Sequence, residues 1–95
     1  MLRTIELAAL PSTLQLCLQS ADRCGGLIQT SPYCAYVPRH FHPREVGAAH
    51  TPADINALID LRLLACIAVH NSIVRITDDG IELLNTGYTR SEVTP

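Results

Sequence analysis

Three histidines, His40, His42 and His50, with Cys34 a few residues upstream, make the one metal-like cluster of histidine and cysteine in the sequence. Imidazoles and a thiolate can give zinc four ligands, and a His-x-His pair on extended backbone puts both rings on one side. The spacing matches no standard zinc finger, and no Cys-x-x-Cys is present. The expectation is therefore a solvated loop with no cofactor, in which Cys34, His40, His42 and His50 are only weak metal candidates. A pH-responsive patch is the other use such histidines have, because imidazole titrates near neutrality.

Catalysis finds no support, and the chain is expected not to be an enzyme. There is no nucleophile elbow, no phosphate-cradling glycine loop and no carboxylate pair with an evident partner. Asp78-Asp79 is explained by the start of a helix, where the dipole favours acids. Cys17 and Cys66 sit among Leu and Ile and are expected in the core; Cys24, beside Gly25-Gly26, is expected to be exposed.

The stretch from Thr51 to Leu84 must position whatever the chain presents. Thr51, Pro52 and Asp54 make a strong helix start, and Ile55, Leu58, Ile59 and Leu63 recur at three- and four-residue steps, so a helix is expected over 52–64 with Leu61 and Leu64 widening its stripe. Cys66 to His70 and Ile73 to Thr77 read as two strands joined at Asn71-Ser72. Thr77 then caps a further helix that Gly87 ends. Upstream, Ser12 with Gln15 reads as a capping box for a helix to about Arg23, stopped at Gly25-Gly26. Residues 2–10 fit a helix or a strand equally. Leu27 to Thr30 and Tyr33 to Val37 are candidate strands. Pro38 to His50 holds two prolines and a glycine, so a regular helix is not expected there beyond a turn at 44–49.

Helix, two-stranded wing at about 66–77 and threonine-capped short helix together resemble the back half of a winged helix of the bacterial and phage transcription-regulator type. The residues that carry the resemblance are Ile76-Thr77-Asp78-Asp79-Gly80, followed by Ile81, Leu83 and Leu84. It covers about a third of the chain. The fold it implies is a small α+β domain over residues 1–87, with three or so helices, one or two short antiparallel hairpins, and a flexible tail at 88–95. The loop at 38–50, where the second helix of the family would stand, is a departure.

Two functions follow as expectations. In the first, implied by the resemblance, the domain is a dimeric DNA-binding regulator whose contacts come from Asn56, Arg62, Arg75, Arg39 and Arg44, with His70 and Asn71 at the wing tip. Asn56 suits an adenine edge. In the second, the chain is an acidic protein-interaction module, an inhibitor that occupies the basic surface of a nucleic-acid-binding partner. It resembles phage-encoded anti-defence (anti-CRISPR-like) proteins in general build. Asp54 and Asp60 then make the contact; against DNA they would repel phosphates. Arg75 is expected to pair with Asp78 or Asp79 rather than with a phosphate.

The totals bound both readings. Ninety-five residues, 47% apolar and 17% charged, make one domain with an aliphatic core. A net charge of −2, with all seven basic residues Arg and none Lys, is unlike the basic excess of most duplex binders. Four cysteines with no leader-like apolar run lead to the expectation of free thiols in a cytoplasmic setting. No membrane partner and no small-molecule substrate are expected.

Overall fold

The computed structural model describes residues 2–29, 35–67 and 73–92. In order, these form β1 (Leu2–Glu6), α1 (Ser12–Arg23), β2 (Leu27–Gln29), β3 (Tyr36–Pro38), α2 (Pro52–Asp60), β4 (Leu64–Cys66), β5 (Ile73–Ile76), α3 (Asp78–Thr86) and β6 (Tyr88–Glu92). Single 3-10 turns stand at Leu7–Ala9 and Pro43–Glu45. The strands make two antiparallel sheets, β1 with β6 and a four-stranded one in the order β3-β2-β5-β4. This is the small α+β architecture expected from the sequence. The Asn71-Ser72 turn and the expected strand residues 30, 33, 34 and 68–70 lie outside the described residues.

The three helices pack on one face of the four-stranded sheet. Leu14, Cys17, Leu18 and Ala21 of α1, Ile55 and Leu58 of α2 and Leu83 of α3 meet Leu27, Tyr36, Leu64 and Val74 in one buried cluster. Ile5 joins it from β1. The cluster is aliphatic apart from Tyr36 and the Cys17 thiol, as the scarcity of aromatic residues dictates.

Helix ends obey local chemistry. Thr51 Oγ1 accepts from the Asp54 N–H at 3.2 Å, and Thr77 Oγ1 accepts from the Gly80 N–H at 3.2 Å, each satisfying an amide that has no intrahelical partner. Gly25 and Gly87 follow α1 and α3 in the left-handed conformation, with φ of +65° and +87°. At α1 the start differs from expectation: Pro11 is the N-cap with no side-chain bond, and Gln15 Nε2 donates to the Leu10 carbonyl at 2.8 Å instead of closing a capping box.

Four further expectations are corrected. The helix from Pro52 stops at Asp60, not Leu64, because Arg62 turns left-handed at φ +61°. The Arg62 N–H then donates to Ile59 and the Leu63 N–H to Leu58, a Schellman motif that places Leu63 beside Leu58 in the core and releases Leu64 into β4. The expected flexible tail from Tyr88 is β6 as far as Glu92, paired residue by residue with β1 from Leu2↔Glu92 to Glu6↔Tyr88. This pairing also settles residues 2–6 as strand. Finally, Cys24 is buried under the α1 C-terminus, whereas Cys66 is exposed on the edge strand β4.

Candidate functional site

The residues named for nucleic-acid or partner contact divide between two sides of the molecule. On α2, whose buried side carries Ile55 and Leu58, the exposed positions are Ala53, Asn56 and Asp60, with Asp54 half-buried. No cation lies on this helix. Arg62 follows it, exposed, its backbone fixed by the Schellman turn and by a 2.7 Å bond from Thr77 Oγ1 to the Arg62 carbonyl. Asn56 is thus presented as the sequence suggests, but its flank is acidic.

Arg39 and Arg75 lie elsewhere, on the sheet. The Arg39 N–H donates to the Gly26 carbonyl at 3.0 Å, and a Cβ at Gly26 would stand 3.7 Å from Arg75 Cγ, so Gly26 sits between the two arginines. A Cβ there would also stand 2.6 Å from the Val74 carbonyl oxygen, which only glycine avoids. Both arginines are exposed. The expected ion pair of Arg75 with Asp78 or Asp79 is not made; among the described residues the ion pair is Arg23 with Glu45, at 2.6 Å. Arg44 is exposed in the 3-10 turn. His70 and Asn71 lie outside the described residues.

The histidines do not converge. His42 Nδ1 accepts from the Arg44 N–H at 3.1 Å and so caps the 3-10 turn. The His40 ring lies against Gly25, where an added Cβ would come within 2.9 Å of His40 Cδ2. His50 bridges to Tyr36 by two backbone hydrogen bonds of 2.7 and 2.8 Å, extending the sheet past β3. Among the described residues no three of His, Cys, Asp and Glu come close enough to hold a metal ion, and Cys34 lies outside them.

Sequence reasoning missed Glu45. Its carboxylate takes hydrogen bonds from Ser20 Oγ at 2.5 Å and Arg23 Nη1 at 2.6 Å, tying the 38–50 loop to α1. Burial alone would raise this carboxyl, but the bonds from Ser20 and Arg23, with the charges of Arg23 and His50, hold it below its ordinary value. Beside it, a cleft of about 370 Å³ opens between α1, the loop and α2, lined by Leu16, Ala48 and Ala49 with Glu45, His50 and Asp54. Burial pushes the His50 imidazole below its ordinary value, although Glu45 and Asp54 pull the other way. Its Nε2 is buried with no hydrogen-bond partner. A single Glu in a histidine-rich loop carries no periodic or spacing signal that could have marked it.

Among the described residues that line this cleft, no nucleophile–base pair is assembled. The Ser20 hydroxyl is spent on Glu45. Burial, with a smaller contribution from Asp54, pushes the nearby Cys17 thiol up to about 12, which keeps it protonated and inert. Among the described residues no helix is long and apolar enough to cross a membrane. No family model, curated protein or solved structure matches this chain.

Proposed function

We propose that the domain is a winged-helix-type module that works by protein contact, setting the acidic flank of α2 against a basic partner surface, and that it does not hold duplex DNA. One observation carries the reading: the helix that such a fold would lay in the major groove exposes Asp60 and half-exposes Asp54 without a cation of its own. A bidentate Asn–adenine contact is worth about 1–3 kcal/mol of discrimination, but affinity comes from phosphate neutralisation. Asn56 flanked by carboxylates cannot recruit it.

The winged-helix part of the reading is supported by strand order. β2, the strand after the first helix, lies beside β5, and the β4–β5 hairpin follows α2 directly. The Thr77 cap then opens α3 at the place the closing motif requires.

The test is a titration of random-sequence duplex DNA at several salt concentrations. The expected result is no binding even at low salt. An affinity that falls steeply with salt would overturn the protein-contact reading, since its slope counts phosphates neutralised. Asp54→Asn with Asp60→Asn sharpens the experiment: neutralising both acids should raise whatever residual DNA affinity exists.

A further inference from the structure

The face of the four-stranded sheet that turns away from the helices has a composition unlike the rest of the surface. Leu27, Tyr36, Leu64 and Val74 point into the core. Successive strand residues point to opposite faces, so Ile28, Val37 and Ile73 point outward. Val37 pairs with Ile28 and Ile28 with Ile73, and the Ile67 N–H donates to the Ile73 carbonyl at 3.1 Å. One row of β-branched side chains therefore crosses the sheet, about 14 Å long at ordinary strand spacing. Ile28, Val37 and Ile73 are half-buried and Ile67 is 46% exposed. None of the four belongs to the core cluster or to the side chains packed against it.

The adjoining row is Arg39, Gly26, Arg75 and Ala65. Its two arginines stand two strands apart, about 10 Å. The chain has nine acids, yet residues 26–42 and 64–77, which hold these four strands, contain not one. A chain of net charge −2 has thus gathered an aliphatic face with cations only.

We propose that this outer face of β3-β2-β5-β4 docks a protein segment presenting an aliphatic stripe flanked on one side by two carboxylates about 10 Å apart. The aliphatic row supplies the area to bury and the arginines fix orientation, a division usual at specific interfaces. Duplex DNA suits the face poorly, because two cations give a salt slope of only about −2 and isoleucines offer no stacking. An anionic bilayer suits it poorly too, since two basic residues add about 1 kcal/mol each. A second copy docked face to face would offer these arginines no carboxylate, because the segments that form the face contain no acid, and a two-fold axis parallel to the strands would also bring the arginine rows together. The inference goes beyond the α2 flank and names a second surface, of opposite sign, while sharing the premise that the domain acts by protein contact.

The experiment uses the full chain, ¹⁵N-labelled, titrated with two synthetic amphipathic helical peptides that share a leucine stripe flanked by glutamates in one and by lysines in the other. Saturable amide shifts at Ile28, Val37, Ile67, Ile73 and Arg75 are expected with the glutamate peptide, at least tenfold weaker with the lysine peptide. Arg39→Glu with Arg75→Glu should reverse that preference, and circular dichroism checks that the variant is folded. If it is not, Arg39→Gln with Arg75→Gln replaces it and should abolish the preference. The proposal is overturned if neither peptide moves these amides, if both do so equally, or if the shifts fall on the helices. It is also overturned if protein concentration alone, duplex DNA or phosphatidylserine vesicles move the same amides. DNA binding through α2 would sink the protein-contact reading and leave this result standing; absence of both DNA and peptide binding would remove only this surface.

Discussion

At Gly80 the chain has no room for a methyl group. A Cβ there would lie 2.6 Å from the Leu63 carbonyl oxygen and 2.6 Å from Ile76 Cγ1. The same Leu63 carbonyl accepts the Thr77 N–H at 3.0 Å, while the Thr77 hydroxyl donates to Arg62 and accepts from Gly80. Threonine and glycine three residues apart therefore form one clasp, holding the start of α3 against the turn after α2. Gly80→Ala should destabilise the domain by about 1–2 kcal/mol in urea unfolding, despite alanine's better helix propensity, because the methyl meets backbone that cannot swing aside. Thr77→Val should cost roughly 1–2 kcal/mol, with Thr77→Ser recovering most of it. The thiols give another residue-scale outcome. Alkylation of the native protein followed by peptide mapping should label Cys66 and spare Cys17 and Cys24, which are buried and whose thiols burial pushes up, until the chain unfolds. The Thr77 cap and the glycine three residues on were legible because their spacing is fixed, whereas their contacts with Arg62 and Leu63 come from the turn after α2 and leave no mark in the sequence. Cys17 was legible as a core residue, but the expectations for Cys24 and Cys66 are exchanged: Cys66 shares the face of its partner Val74 yet lies on an edge strand, and Cys24 is covered by elements distant in sequence, neither of which sequence neighbours report.

All three helices end on a left-handed residue, and two of the three are glycine. Gly25 and Gly87 made the ends of α1 and α3 readable in advance. Arg62 did not, because an arginine in that conformation leaves no compositional trace, and the apolar stripe runs on through Leu63 and Leu64 as though the helix continued. Arg62→Gly should raise stability by about 0.5–1 kcal/mol by relieving the left-handed strain, measured as a higher urea midpoint at unchanged m-value. A fall would mean that the arginine side chain contributes more than its backbone costs. The strand pair β1–β6 was illegible for a different reason. Residues 88–92 have no apolar alternation, and their partner lies at the far end of the chain, so only tertiary pairing fixes them. The loop at 38–50 was rightly read as irregular. The tether that gives it a place, Glu45 to Ser20 and Arg23, depends on elements more than twenty residues apart.

For the molecule as a whole, the sequence supplied total charge but not its distribution. The nine acids sit on β1, the helices, the 38–50 loop and β6, and the four-stranded sheet is left with arginines. Asp54 and Asp60 on one side and Arg39 and Arg75 on the other were all named from sequence, yet they belong to two surfaces rather than one. Acid sensitivity is another property of the whole. The fold holds His50 below its ordinary value, so the stability this group contributes is complete above the unfolded imidazole value of about 6.5 and drains away as pH falls through the folded value. Glu45, also held low, adds a loss that begins below the unfolded carboxyl value of about 4.3. Thermal midpoints across pH should therefore fall in two stages, and His50→Gln should remove the first while leaving the second. The β1–β6 ladder carries a mechanical consequence. Leu2 and Glu92 face each other at its outer end, so tension applied at these two positions does not shear the strands past one another. It opens them one pair at a time, like a zip, toward Glu6 and Tyr88. The ladder would yield at low force while α1, α2 and the four-stranded sheet behind it still carried none.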